Sequence, residues 1–345
     1  MESKNTPDDT FFYRAFEDRH RGSRELIKTR LQQYLPFLEP LAKLHPLGLA
    51  LDLGCGRGEW LEVANEAGLS ARGVDRDQGM LAASIKRGLH VEQKDTLEAL
   101  QEQPDASVCA VSAFHVVEHI TFDRLQNLVR EAMRVLVPGG LLILETPNPE
   151  NLVVGTANFY LDPTHIRPIP PLLLEFLPEH YGFFRYKTLR LQESATLREN
   201  EDVRLIEVLS GVSPDYAVIA QKGASKKVLK QFNAAFVRDY GITLGELCER
   251  YEIKQSQRYE ALNAQIAAMQ PENPKIYAQL MQQLHETQAE NLSLQQELLS
   301  LSKEIDTLRV AALNRERAFI AQLGEICMQY LREYSPQNSS RDIRD

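Results

Sequence analysis

Three glycines at alternate positions, Gly54, Gly56 and Gly58, follow the acidic residue Asp52 in the stretch LDLGCGRG. Apolar residues precede them and an amphipathic run from Trp60 follows, a pattern that predicts a strand, a tight loop and a helix. Glycine allows positive φ and close approach of a ligand, and the helix start presents unpaired N–H groups. The acid before the loop would repel a pyrophosphate and attract an ammonium group. The motif therefore predicts a site for a cationic nucleoside cofactor.

Further polar residues follow the next predicted strands. Asp75 comes about twenty residues after the glycines, a spacing that suits a carboxylate binding both ribose hydroxyls. Asp95 ends the third strand, where its carboxylate and the adjoining backbone could hold an adenine amino group. All candidates expected at this edge for the cofactor are Asp52, Gly54, Gly56, Asp75, Arg76, Asp95, Thr96, Leu97, Ser112 and His115.

Strands and helices alternate across residues 45–222, which predicts an α/β fold with a Rossmann-like, doubly wound, seven-stranded sheet. Such a sheet binds its ligand at the carboxyl ends of its strands, near the switch point. After the first strand, which contains Leu51, the predicted strands are 69–75, 90–95, 107–112, 140–145, 185–191 and 216–221.

If the cofactor donates a group, the molecule that accepts it needs a site of its own. That acceptor site is predicted on two segments, 115–119 after the fourth strand and the long loop-rich stretch 148–182. Loops of this length within a compact domain are usually functional. His165 is the first candidate for a general base, with Asp162 close enough in sequence to orient it. His119 and Glu118 are the second choice, although His115 and His119 also suit the floor of the cofactor site. Arg167 and Arg185 offer an alternative, an anionic acceptor.

The segment before the glycine loop mixes aromatic residues with arginines. Ser23 is predicted to cap an amphipathic helix that Pro36 ends. A cofactor with a free carboxylate needs a guanidinium or amide donor. The arginines predicted for that role are Arg14, Arg24 and Arg30.

The last third of the chain carries a heptad pattern from Tyr277 to Ile326, with a second seam that includes Leu280 and Leu294. This pattern predicts a long coiled coil, with Asn291 controlling its register. The wide apolar stripe is compatible with a coiled coil of either two or three strands, so the protein is expected to form a homodimer or a homotrimer. The alternative is a helical hairpin packed against the catalytic domain.

The bulk composition excludes several classes of protein. A net charge of −9 over 345 residues does not favour nucleic-acid binding. Four scattered cysteines without a C-x-x-C pair argue against disulfides and zinc, so no metal site is predicted. The polar N-terminus and the lack of a long apolar run predict a cytoplasmic protein, with any membrane contact peripheral, at the inner face of the cell membrane through the C-terminus.

The glycine loop and the acids after successive strands resemble those of class I S-adenosylmethionine-dependent methyltransferases. The resemblance covers roughly residues 45–222 and says little about the acceptor. It implies Gly54 and Gly56 beneath the methionine part of S-adenosylmethionine and Asp75 on the ribose. It also implies Asp95, with Thr96 and Leu97, at the adenine.

The chain also resembles the chain-terminating methyltransferases of bacterial O-antigen (polymannan) polysaccharides. This resemblance lies in the segments YRAFE at 13–17 and RGSREL at 21–26, combined with the methyltransferase core and the heptads. Those enzymes cap the non-reducing end of a lipid-linked glycan, and their coiled coil sets the chain length and docks the glycan polymerase, a mannosyltransferase. The resemblance implies that the lead-in segment, residues 1–44, closes over the cofactor, so that Tyr13 and Arg14 contact it. Some members also carry a kinase domain, for which residues 223–276 are too few. A sugar hydroxyl is therefore favoured over a phosphate as the acceptor.

The resulting domain prediction has five parts: a lead-in helix (1–44), a methyltransferase domain (45–222), a helical connector (223–275), a coiled coil (276–333) and a disordered tail (334–345). Two other functions stay open. One is a small-molecule O-methyltransferase that its coiled coil oligomerises, and the other is a non-catalytic scaffold. A deep closed pocket would favour the small molecule and an open groove the glycan.

Overall fold

The computed structural model describes residues 22–268, 275–276, 278–293 and 300. Seven strands form one sheet in this part of the chain. They are β1 (Leu49–Leu53), β2 (Ser70–Asp75), β3 (His90–Gln93), β4 (Val108–Phe114), β5 (Leu136–Pro147), β6 (Arg185–Leu191) and β7 (Asp215–Gln221). Their order is β3-β2-β1-β4-β5-β7-β6, with β7 antiparallel to both of its neighbours and the other pairs parallel. The predicted Rossmann-like seven-stranded sheet is confirmed.

Helices cover both faces of this sheet. They are α1 (Arg24–Leu31), α2 (Leu35–Leu44), α3 (Glu59–Glu66), α4 (Gln78–Lys86), α5 (Thr96–Gln101), α6 (Phe122–Val135), α7 (Leu152–Thr156), α8 (Pro171–His180), α9 (Ala195–Glu199), α10 (Leu205–Ser210), α11 (Lys226–Lys230), α12 (Asn233–Val237) and α13 (Leu244–Ala268). Short 3-10 turns at Gln32–Tyr34, Val117–His119 and Asn158–Leu161 complete the set.

The core consists of two apolar layers, one on each face of the sheet. Every residue of β4 is buried because this strand lies between β1 and β5 and has helices on both sides. Successive side chains point to opposite faces, so Ala110 joins one layer and Val111 the other. The continuous apolar run of β4 thus produces the rigid centre of the sheet.

The switch point of the sheet lies between β1 and β4, which are neighbours although β2 and β3 come between them in sequence. The glycine loop follows β1 and the segment from His115 follows β4. A Cβ atom on Gly54 would lie 2.5 Å from Cγ2 of Val116, so the two loops are in contact. The topology therefore brings the predicted cofactor loop against the predicted acceptor segment.

The lead-in helix begins as predicted and continues differently. The Ser23 side chain accepts a hydrogen bond from the Leu26 N–H, as expected of an N-cap. Pro36 does not end the helical segment; it occupies the first turn of α2, where a missing N–H costs nothing. The chain stays helical to Leu44 because Phe37, Leu38 and Leu41 are completely buried against the sheet.

The compact unit that contains the sheet extends to Ala261, beyond the boundary expected at 222. Phe232 and Ala235 belong to the core layer on one face of the sheet, so the first connector helices are part of this unit. Residues 278–293 are helical, while most of the heptad positions, Leu298 and Ile305 among them, lie outside the described residues. The coiled coil therefore stays a prediction. Within the described ranges, the structure contains no helix of the length and apolarity needed to span a membrane.

Candidate active site

The glycine loop has the backbone geometry that only glycine adopts easily. Gly54, Gly56 and Gly58 have φ values of 76°, 48° and 80°. The N–H groups of Gly54 and Cys55 donate to the Val74 carbonyl at 2.8 and 3.0 Å, which anchors the loop to β2. The loop thus offers a main-chain surface to a ligand at the carboxyl end of β1.

Asp75 is the last residue of β2 and lies beside this loop. Its carboxylate accepts hydrogen bonds from the N–H groups of Gly56 at 3.0 Å and Asp77 at 2.9 Å. A carboxylate has about four acceptor positions, and these two contacts fix its orientation. The position and orientation fit the predicted role of binding ribose hydroxyls.

Asp52 and Ser112 lie beneath the loop. Both side chains are buried, and the Ser112 hydroxyl donates to the Asp52 carboxylate at 2.7 Å. They are paired because Asp52 and Ser112 are register partners on β1 and β4. Ser112, predicted to contact the cofactor, therefore holds Asp52, whose charge lies where it attracts a cation.

Asp95 caps α5 and is the centre of an ion-pair group. Its carboxylate accepts from the Leu97 N–H at 2.9 Å and is bound by Arg124 at 2.6 Å and Arg76 at 2.9 Å. Burial opposes the charged form, but these contacts outweigh it and lower the pKa of Asp95. An adenine amino group would have to share the Asp95 carboxylate with these partners. The role of Asp95, Thr96 and Leu97 at the adenine therefore stays a prediction.

The arginines of the lead-in segment differ in their contacts. The Arg24 guanidinium donates to the Arg57 carbonyl at 2.6 Å and to Glu62 at 2.8 Å. It fastens α1 to the outside of the glycine loop, so its charge is compensated there rather than directed at a carboxylate of the cofactor. Arg30 lies near Asp215, where its charge favours the ionised carboxylate without outweighing the effect of burial, which raises the pKa of Asp215. Tyr13 and Arg14 lie outside the described residues.

His115 is half-buried and lies between two buried carboxylates. It has a positive φ of 54°, and its two ring nitrogens lie 3.2 Å from Glu118 and 3.4 Å from Glu145. Burial disfavours the cation, but the hydrogen bonds to the two carboxylates outweigh it and hold the pKa of His115 well above its usual value. The second oxygen of Glu145 accepts from the Tyr34 hydroxyl, which anchors the lead-in segment to β5. His115 is therefore a cation at neutral pH and cannot serve as a base.

Asp215, at the start of β7, is another acid next to His115. Burial raises its pKa to about 6, and the neighbouring His115 cation only partly counteracts this. The same carboxyl group ionises near pH 3.9 in the unfolded chain. Its ionisation therefore destabilises the fold increasingly as the pH rises above 3.9, and the full cost is reached above about pH 6. Asp215→Asn should raise the free energy of unfolding by about 1–3 kcal/mol at pH 7.5 and leave it unchanged below pH 4. Urea denaturation at both pH values measures this, with the exposed Asp239→Asn as control; equal gains at both pH values would contradict it.

His119 and His165 lie together at the mouth of this edge, with ring centroids 4.6 Å apart. Asp162 was expected to orient His165, but its carboxylate is 3.8 Å from Nε2 of His165 and only 2.6 Å from the Thr164 hydroxyl. That hydroxyl in turn contacts Nδ1 of His119 at 2.9 Å. His165 is oriented by the Phe159 carbonyl, 2.6 Å from its Nδ1. Asp162 therefore orients His119 through Thr164, which corrects the expectation.

The protonation of the two imidazoles follows from these partners. Only Nδ1–H can donate to the Phe159 carbonyl, so neutral His165 has its lone pair on Nε2. The Thr164 proton goes to Asp162, so Nδ1–H of His119 donates to Thr164 and its Nε2 also carries the lone pair. Burial lowers the pKa of His119. Nε2 is therefore the nitrogen of each neutral ring that can accept a proton.

The two other arginines considered for an anionic acceptor have structural contacts. Arg185 donates to Gln221, to Asn233 and to the Leu229 carbonyl, so it ties β6 to the first connector helices. Arg167 lies over the Phe122 ring, 4.8 Å from its centroid. Neither contact favours an anionic acceptor.

Four site residues were not singled out from the sequence: Tyr34, Arg124, Glu145 and Thr164. Thr164 carried a usable signal, since it stands between the two candidates Asp162 and His165. Glu145 also carried one, since it is the acid that ends the predicted strand 140–145. Tyr34 and Arg124 reach the site only through the packing of distant segments, for which one sequence has no signal.

The site combines a loop of positive-φ glycines, the strand-end carboxylate of Asp75 and the buried acid Asp52, the arrangement that the sequence analysis predicts for a cationic nucleoside. Residues 51–144 match the methyltransferase domain family. A probable S-adenosylmethionine-dependent methyltransferase of Mycolicibacterium smegmatis is 34% identical over 149 residues, 43% of this chain and 57% of that protein. A probable S-adenosylmethionine-dependent methyltransferase of Mycobacterium tuberculosis is 34% identical over 119 residues, 34% of this chain and 42% of that protein. The chain spans about half the length of these curated relatives.

The crystal structure of a SAM-dependent methyltransferase from Archaeoglobus fulgidus is 32% identical, with a TM-score of 0.54, and the match covers 61% of this chain and 100% of that one. The chain belongs to the S-adenosylmethionine-dependent methyltransferases. S-adenosylmethionine is its cofactor, and the glycine loop with Asp52 and Asp75 fits that molecule: the positive-φ glycines leave room for it, and the acids match its ammonium group and ribose.

Proposed function

We propose that the protein is an S-adenosylmethionine-dependent O-methyltransferase that caps the non-reducing end of a lipid-linked polysaccharide at a sugar hydroxyl. The observation that carries the O-methylation is the pair His119 and His165, which come from the segments after β4 and β5 and whose ring centroids lie 4.6 Å apart. A hydroxyl acceptor must lose a proton during transfer, whereas a phosphate acceptor need not. An oriented pair of basic nitrogens is what a hydroxyl requires.

The chemistry needs little more than alignment and a place for one proton. The cofactor supplies a methyl group on a sulfonium sulfur, which keeps the electron pair of the broken C–S bond. Asp75 and the glycine loop hold the nucleoside, and the histidine pair is where the acceptor oxygen loses its proton as it takes the methyl group. His115, already a cation, holds Glu118 and Glu145 in place by charge.

The polysaccharide acceptor is supported by the rim around His165. This rim consists of Tyr160, Leu161 and Ile166, which lie close to His165 in the chain and are exposed by 61%, 58% and 52%. Exposed aromatic and apolar side chains near the histidine pair suit the end of a long chain, most of which stays in solvent, better than they suit an enclosed small molecule. The resemblance to O-antigen chain terminators adds the polymerase as partner and the coiled coil as the element that sets chain length.

Mass spectrometry of the glycan chain end tests this function. Cells with the protein should make polysaccharide whose terminal sugar carries one O-methyl group, and cells carrying the Asp75→Ala variant should not. Unmethylated termini in both strains would overturn the capping role, and methyl on a terminal phosphate would overturn the hydroxyl acceptor. Unmethylated glycan termini together with a methylated small metabolite in cells that contain the protein would favour the small-molecule enzyme.

Deletion of residues 277–345 tests the predicted oligomerisation element. The truncated chain should be a monomer that binds S-adenosylmethionine with unchanged affinity, because the compact unit with the site ends before this segment. Light scattering gives the mass and calorimetry the affinity, with the full chain as reference. An oligomer of the same size after truncation would contradict the coiled-coil prediction.

A further inference from the structure

Glu118, His119 and His165 each place one potential ligand atom within 4.8 Å of the others. We propose that these three side chains form a binding site for a divalent transition-metal ion of the zinc class. Two imidazoles and one carboxylate are a common ligand set of catalytic metal sites, which keep further positions for water or substrate. The cysteine pattern predicted no metal, but this set contains no cysteine and comes from two separate loops.

The outer partners of the two imidazoles are those that metal-binding histidines use. A ligating histidine usually donates its other ring N–H to a carbonyl or carboxylate, which fixes its tautomer. Here His165 donates to the Phe159 carbonyl, and His119 donates to Thr164, which is bonded to Asp162. Both contacts engage Nδ1, so Nε2 is the nitrogen that we assign as the ligand atom of each ring.

The carboxylate and the two loops are also held in place. The oxygens of Glu118 are bonded to Thr146 at 2.9 Å and to His115 at 3.2 Å, and the side chain is buried. The Ile166 N–H donates to the Glu118 carbonyl at 2.8 Å, which fixes the His165 loop against the Glu118 turn. The site is thus organised before an ion arrives.

The catalytic role of the ion deepens the proposed function and rests on it. The binding of the ion is independent of that function. A coordinated hydroxyl has a lowered pKa, so the acceptor oxygen would lose its proton to water and attack the methyl carbon as an alkoxide. With the ion bound, His119 and His165 act as ligands through the same lone pairs.

Cobalt titration of the full chain tests the site. The chain is first treated with a chelator and then titrated with Co²⁺, whose visible absorption reports tetrahedral nitrogen and oxygen ligation, and zinc content is measured by elemental analysis. One ion per chain is expected. His119→Ala and His165→Ala each remove a ligand and should weaken binding by more than the about 10–100-fold typical of losing an outer partner, while substitution of His90, an exposed histidine on β3, by alanine should leave it unchanged.

Thr164→Val keeps the result interpretable if a ligand variant fails to fold. It removes the acceptor of the His119 N–H and the hydroxyl that donates to Asp162, keeps all three ligands, and should weaken Co²⁺ binding about 10–100-fold with unchanged circular dichroism. Failure of the chelator-treated wild-type chain to bind Co²⁺ or Zn²⁺, or equal binding in all variants, would overturn the site. Full turnover of the chelator-treated enzyme would overturn the role of the ion and leave the methyltransferase proposal intact. Metal binding without any methyl transfer would overturn that proposal and leave the site intact.

Discussion

Asp75→Ala should weaken the binding of S-adenosylmethionine about a hundredfold or more. The carboxylate can accept hydrogen bonds from both ribose hydroxyls, and a hydrogen bond to a charged group contributes about 1.5–3 kcal/mol. The same substitution removes the acceptor of the Gly56 N–H, which loosens the loop beneath the methionine part. Calorimetric titration measures the dissociation constant directly.

The controls for this prediction separate charge from site geometry. Glu92→Gln removes an acid from exposed β3 and should not change the affinity. Asp75→Asn keeps one oxygen acceptor and should lie between the wild type and the alanine variant. If Asp75→Ala binds as tightly as the wild type, the ribose assignment is wrong and the cofactor lies elsewhere on the sheet edge.

His119→Ala and His165→Ala should each lower turnover by about 10²- to 10⁴-fold and leave the affinity for S-adenosylmethionine within about twofold of the wild type. The reason is the same whether the imidazoles take a proton or hold an ion, because both roles need the Nε2 lone pair. His90→Ala is the matched control. Initial rates of methyl transfer at saturating cofactor measure the effect, and substantial residual activity would move the acid–base chemistry away from this pair.

The pH dependence of the wild type gives an independent check on the same pair. The lowered pKa of His119 keeps this ring neutral at pH 7, so its lone pair is lost only as the pH falls below the ordinary histidine value of about 6.5. The rate should therefore be constant near neutrality and decline in the acid range. A rate that rose on acidification would contradict a role for a neutral imidazole.

The sequence by itself determined the sheet and the cofactor loop. The central strands β1, β4 and β5 followed from short apolar runs, and this signal is local, since burial on both faces requires a continuous apolar strand. The glycines of the loop were equally readable, because their positive φ values are a property of single residues. The helix start at Ser23 was predicted for the same reason, since a cap involves residues within one turn.

Only the tertiary structure decided which polar groups meet and which charge each one carries. The pairing of Ser112 with Asp52 depends on register between strands, and the contact of Tyr34 with Glu145 depends on where the lead-in segment packs. His115 and His119 are four positions apart, yet two buried carboxylates make the first a cation and burial keeps the second neutral. Such differences arise from desolvation and from neighbours distant in the chain, so residue type and spacing alone do not contain them.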